Sequence, residues 1–67
     1  MLWLSEVLLQ EHDLDSFEGL CDKIRERAAQ GEMFFQMDVK PPFPDTPPDW
    51  EDRLEAAFAQ GPRSRGG

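Results

Sequence analysis

Apolar residues recur at two different periods along this chain of 67 residues, and the change of period separates helices from a strand. Apolar and polar side chains alternate over residues 33–39, as in a half-buried strand, and only Phe34 breaks the alternation. The face expected to meet the core comprises Met33, Phe35, Met37 and Val39. The flanking segments have the spacing of amphipathic helices. The pattern predicts a mainly α-helical, small α+β fold with three short helices and one short β-strand.

The first predicted helix, residues 2–11, is apolar around much of its circumference. A helix of this kind is expected to pack centrally among the others. The alternative is that part of its surface, Trp3 in particular, faces a partner protein.

The second predicted helix has the clearest apolar stripe of the chain, formed by Phe17, Leu20, Cys21, Ile24 and Ala28. Asp15 is expected to cap its start, with Glu18 completing a capping box. Gly31 is expected to end it.

A proline-rich linker over residues 41–48 precedes the third helix. We expect a semi-rigid spacer there, and the alternative is a polyproline II segment that docks on a partner. The third helix is predicted to begin with Thr46 as its cap and Pro47 at its first helical position, and to end at Gly61. Residues 1–61 are therefore expected to form a single small domain, with residues 62–67 as a disordered tail.

The predicted strand at residues 33–39 has no evident neighbour in the sequence. Three interpretations remain open: antiparallel pairing with a second copy in a homodimer, addition to the sheet edge of another protein, or an extended loop. Small size favours association, because a domain this short is marginally stable on its own. Cys21 is the only cysteine, so an intrachain disulfide is impossible.

The net charge of −7 bears on the choice of partner. Residues 1–22 hold six acidic residues and no lysine or arginine, so direct binding to nucleic acid or to an anionic membrane is not expected. A protein with a basic surface fits this charge better. The first ten residues lack the features of a signal peptide, and no apolar run has transmembrane length, so we expect a cytoplasmic protein.

Catalytic and metal-binding patterns are weak. Cys21 and His12 are the only thiol and imidazole, and Cys21 falls on the apolar stripe, where an inert core thiol is expected. Asp13, Asp15 and Glu18 lack the glycine and the distal glutamate of a calcium-binding EF-hand loop. The sequence therefore predicts no enzyme activity, no cofactor and no metal site.

Two further features of the sequence suggest alternative functions. The acidic residues of segment 6–22 would suit a DNA-mimic inhibitor of a nucleic-acid-binding protein, which presents carboxylates in place of phosphates. The terminal Arg-Gly-Gly resembles the end of ubiquitin-like modifiers and sulfur-carrier proteins. That resemblance covers only the last residues and the size, and the β-rich fold of those families departs from the helical pattern here.

The function that the sequence favours is that of a small acidic protein-binding protein, such as an inhibitor, an adaptor or an accessory subunit. Its aromatic anchors are expected to be Trp3, Phe34 and Phe43, since aromatic residues dominate interface energetics. Its acidic residues are expected to steer it towards a basic partner surface. The acidic candidates are Glu11, Asp13, Asp15 and Glu18.

Overall fold

Three helices and a two-stranded sheet make up the fold, in a computed structural model that describes the backbone of residues 1–63 and the side chains of residues 1–60. The elements in chain order are β1 (Leu2–Trp3), α1 (Leu4–Gln10), α2 (Phe17–Ala29), β2 (Phe35–Gln36) and α3 (Trp50–Arg63). The predicted fold class, mainly helical with a small strand component, is confirmed. Within the described residues the strand component is a sheet of two strands rather than one isolated strand.

The N-terminus of the chain supplies the strand neighbour that the sequence did not reveal. β1 pairs with β2 in parallel, with Leu2 opposite Phe35 and Trp3 opposite Gln36. The first helix accordingly starts at Leu4, and the predicted start at residue 2 is wrong. A strand of two residues that runs directly into an apolar helix has no alternation of its own, so its sequence looks like the first turn of that helix.

One face of this β1–β2 ribbon covers the helices. Leu2 is buried, and Phe35 stacks on Phe58 of α3 with ring centroids 5.3 Å apart. Met33 and Val39, which were predicted to share this inner face, are 78% and 39% exposed. That prediction is wrong because the ladder covers only two residues, and the ends of the extended segment lie outside the core.

The core lies mainly between α2 and α3. Leu20 and Ile24 of α2 and Leu54 of α3 are fully buried, and α1 adds Leu4 and Val7. The predicted stripe of α2 is confirmed, except that Cys21 is only half-buried. The two helices run side by side in the same direction, because the start of α2 bonds to Asp45 shortly before α3, and Arg25 late in α2 bonds to Gln60 late in α3. Burial of these side chains is the main source of stability.

Different residues from those predicted define the start of α2. Ser16 is the N-cap, and its Oγ accepts a hydrogen bond from the Gly19 N–H at 3.1 Å. Asp15 is exposed and lies one residue too early, so the Asp15–Glu18 capping box is wrong. The Phe17 N–H instead donates to Asp45 Oδ1 at 2.8 Å. After the last turn of α2, Gly31 has a φ of 114°, in the left-handed region that glycine adopts without strain.

The predicted proline-rich linker before the last helix is present between β2 and α3, and parts of it pack against the domain. Pro41 is buried, and its carbonyl accepts a hydrogen bond from Thr46 Oγ1 at 3.4 Å. Thr46 therefore closes this loop and does not cap α3, which begins at Trp50. α3 extends past Gly61 to Arg63. Of the tail predicted to be disordered, residues 64–67 lie outside the described part of the chain.

Candidate partner-binding surface

The outer face of the β1–β2 ribbon carries three large apolar side chains that the domain does not cover. Side chains alternate between the faces of a strand, so the neighbours of inward-facing Leu2 and Phe35 point outward. Three of these four neighbours are apolar, namely Met1, Trp3 and Phe34, and they are 63%, 40% and 63% exposed; the fourth is Gln36, which lies opposite Trp3 in the ladder. We call these three residues the outer ribbon patch. The structure thus brings the predicted anchors Trp3 and Phe34 to one face of adjacent strands.

Acidic groups border the outer ribbon patch on two sides. The Met1 ammonium lies 3.5 Å from Glu32 Oε1, which ties the start of β1 to the residues that precede β2. At the other end, Asp38 Oδ1 accepts a hydrogen bond from the Ser5 N–H at 3.1 Å. Hydrogen bonds from Ser5 hold the pKa of Asp38 below its ordinary value. This carboxylate therefore keeps its charge at neutral pH beside the patch.

Phe43, the third predicted anchor, does not belong to this patch. Its side chain is half-buried and packs against the chain's own core. The prediction of a free aromatic between prolines overlooked the turn in which the Thr46 N–H donates to the Phe43 carbonyl at 3.1 Å. That turn folds the proline-rich segment back onto the domain. Met1 takes the place of Phe43 as the third apolar residue of the surface, and the Met1–Trp3 alternation around Leu2 is the sequence signal for it.

The four predicted acidic residues divide into two kinds. Glu11 is half-buried, and its carboxylate lies 3.0 Å from Arg27 Nη2 and 3.6 Å from Lys23 Nζ. These contacts join the end of α1 to α2, so Glu11 is a structural ion-pair residue rather than a free surface charge. The three remaining residues, Asp13, Asp15 and Glu18, are exposed.

The Glu11 ion pairs predict a loss of stability in acid. The hydrogen bond from Arg27 is the largest cause that lowers the pKa of Glu11, with further lowering by Lys23. A carboxyl with a lowered pKa in the folded state contributes stability above the ordinary glutamate pKa. That contribution is lost as the pH falls through the lowered value.

Glu11→Gln should therefore reduce the melting temperature at pH 7 and should have much less effect at a pH below the lowered pKa. Thermal unfolding followed by circular dichroism across this range measures the difference. The matched control is Asp13→Asn, which alters an exposed carboxylate two residues away. An equal loss at both pH values for Glu11→Gln would contradict the ion-pair assignment.

An open groove of about 620 Å³ lies between α2 and α3, and its lining includes Glu18, Cys21 and Arg25. The charges in it are mostly paired: Arg25 Nη1 lies 2.6 Å from Asp22 Oδ1, and Arg53 Nε lies 2.9 Å from Asp49 Oδ1. Burial raises the pKa of the Cys21 thiol, which disfavours the nucleophilic thiolate. His12 does not line this groove. The described residues hold no cluster of three or more metal-ligating side chains.

Comparison with protein-family models found no match to this chain. Searches among curated proteins and solved structures gave no match either. Of the helices in residues 1–63, none combines the length and apolar character needed to cross a membrane.

Proposed function

We propose that this chain is a protein-binding protein, an inhibitor, adaptor or accessory subunit, that binds its partner through the outer ribbon patch. The observation that carries the proposal is the exposure of Met1, Trp3 and Phe34 on one face of a ribbon whose other face is packed. The three side chains share one face of the ribbon, whereas single exposed apolar residues are ordinary.

The energetics of such a surface suit a partner interface. Trp is among the residues most enriched at interface hot spots, and truncation of a hot spot costs about 2 kcal/mol or more. Backbone pairing between β1 and β2 holds Trp3 and Phe34 in place before binding, which lowers the entropy lost on association.

The negative charge of this chain favours a partner with a basic surface. With a net charge of −7 and with Asp38 beside the patch, a basic protein surface is the complementary one. Asp13, Asp15 and Glu18 would add long-range steering at low ionic strength. A cytoplasmic location remains part of this proposal.

Capture from native lysate tests the proposal if it compares three forms of the chain. Wild type should retain a partner that Trp3→Ala/Phe34→Ala loses. A matched control, Leu9→Ala, changes an apolar residue of α1 that is 72% exposed and lies outside the patch. It should retain the same partner. With the purified partner, the double variant should bind at least about 30-fold more weakly. Retention of full affinity by the double variant would refute the proposal.

A charge-reversal variant separates this function from the DNA-mimic alternative. Asp13→Lys/Asp15→Lys/Glu18→Lys leaves the Glu11 ion pairs intact. For binding through the outer ribbon patch, the variant should slow association at low salt and change the dissociation rate little. A DNA mimic would lose binding altogether. Surface plasmon resonance at two salt concentrations distinguishes the two results.

A further inference from the structure

The ladder pattern shows which edge of β2 faces away from β1. The Leu2 N–H donates to the Phe34 carbonyl at 2.7 Å, and Leu2 is in register with Phe35. In a parallel ladder this places the polar backbone groups of Phe34 and Gln36 towards β1. The backbone N–H and C=O groups of Phe35 point to the opposite edge. The same holds for the odd-numbered residues on either side where the chain is extended. The described part of the chain places no third strand on that edge.

The segment around this edge has the character of an interaction strand. None of residues 33–39 is buried, and Met33 and Val39, like Phe34, are exposed apolar residues that the chain's own core leaves uncovered. The segment contains no proline and one charge, Asp38, which is already bonded to Ser5. An exposed edge of this composition readily pairs with another strand.

The segment is also complementary to itself. Antiparallel pairing about a twofold axis at Gln36 sets Phe35 opposite Met37 of the second copy, and Met33 opposite Val39 of the second copy. All four are odd-numbered residues, whose backbone N–H and C=O groups point to the free edge of β2. The N–H groups of one copy therefore meet the C=O groups of the other. Asp38 would lie opposite Phe34 of the second copy, so no like charges face each other directly despite the acidic chain.

We propose that the free edge of β2 pairs with β2 of a second copy of this chain, in antiparallel register about Gln36, to form a symmetric dimer. The result is a four-stranded sheet, which is more stable than an isolated two-stranded ribbon. An axis perpendicular to the sheet keeps the helices of both copies on one side. The outer ribbon patches of both copies then share the other side. The dimer goes beyond the proposed function, which does not require it.

Charge pairs at positions 33 and 39 test this register. Met33→Lys/Val39→Lys and Met33→Glu/Val39→Glu each place like charges opposite one another twice in the proposed dimer. Both positions are exposed, so the fold should survive, and circular dichroism checks that it does. Sedimentation equilibrium should give twice the 7.7 kDa chain mass for wild type and the single mass for each variant. A mixture of the two variants in equal amounts should restore the dimer through Lys–Glu pairs.

A matched control is Leu9→Lys, which adds a charge at an exposed apolar site on α1 and should leave the dimer intact. A monomeric wild type would overturn the proposal. Dimers that persist in both charge variants, or a mixture that stays monomeric, would overturn this register. Loss of partner binding by Trp3→Ala/Phe34→Ala is a separate result and does not depend on the mass measured here.

Discussion

Leu2→Ala should lower the free energy of unfolding by about 2–5 kcal/mol, the usual cost of truncating a buried leucine. Leu2 is buried, and its side chain anchors β1 over the helices while its backbone holds β2. For a domain of this size the loss is a large part of the total stability. Urea unfolding followed by far-ultraviolet circular dichroism measures the change.

The next residue of the strand provides the control. Trp3→Ala removes a larger side chain from the opposite face of β1, where it is 40% exposed. Its effect on stability should be clearly smaller than that of Leu2→Ala, although it should weaken partner binding. If the two substitutions destabilise the domain equally, the assignment of inner and outer faces to β1 is incorrect.

Leu54→Ala should be the second strongly destabilising substitution, again by about 2–5 kcal/mol. Leu54 is fully buried where α3 packs on α2. Arg25 Nε also donates a hydrogen bond to Gln60 Oε1 and joins the far ends of α2 and α3, which limits how far the helices can move to fill a cavity. Thermal unfolding at neutral pH should show a much lower melting temperature, or a chain that is already partly unfolded at 25 °C.

Glu55→Ala is the matched control for Leu54→Ala, since residue 55 is the exposed neighbour on the same helix. Its effect should stay within about 0.5 kcal/mol, as for most surface substitutions. A Leu54→Ala variant as stable as this control would show that α3 is not packed through Leu54.

The sequence predicted the helices well and their ends poorly. The stripe of α2 could be found because its apolar residues recur at helical spacing. Four of its five residues are buried in the structure. The cap could not, because Asp15 and Ser16 are both good N-cap residues and only the backbone geometry selects Ser16. β1 was missed for a different reason. Its two residues form a strand only through pairing with residues 33 positions later, and no local pattern records that pairing.

The candidate surface was partly predictable for related reasons. Trp3 and Phe34 stood out as apolar residues that did not fit an amphipathic pattern, and both are exposed. Phe43 looked equally free, but its side chain is half-buried because it packs against the core of the domain, and no local pattern records that packing. Nothing in the local sequence separates Glu11 from the other acidic residues, because its ion pair with Arg27 joins two different helices. The local sequence indicates which side chains are not buried by their own helix or strand. It does not indicate which other elements pack against them.

The packed proline-rich segment also affects the unfolded chain. Five of the six prolines lie between residues 41 and 48, and each fixes φ whether or not the domain is folded. The unfolded ensemble therefore samples fewer conformations here than a glycine- or serine-rich connection of equal length would. Ordering this long connection between β2 and α3 costs correspondingly less conformational entropy. A small domain without disulfides thus gains part of its stability from restriction of the denatured state.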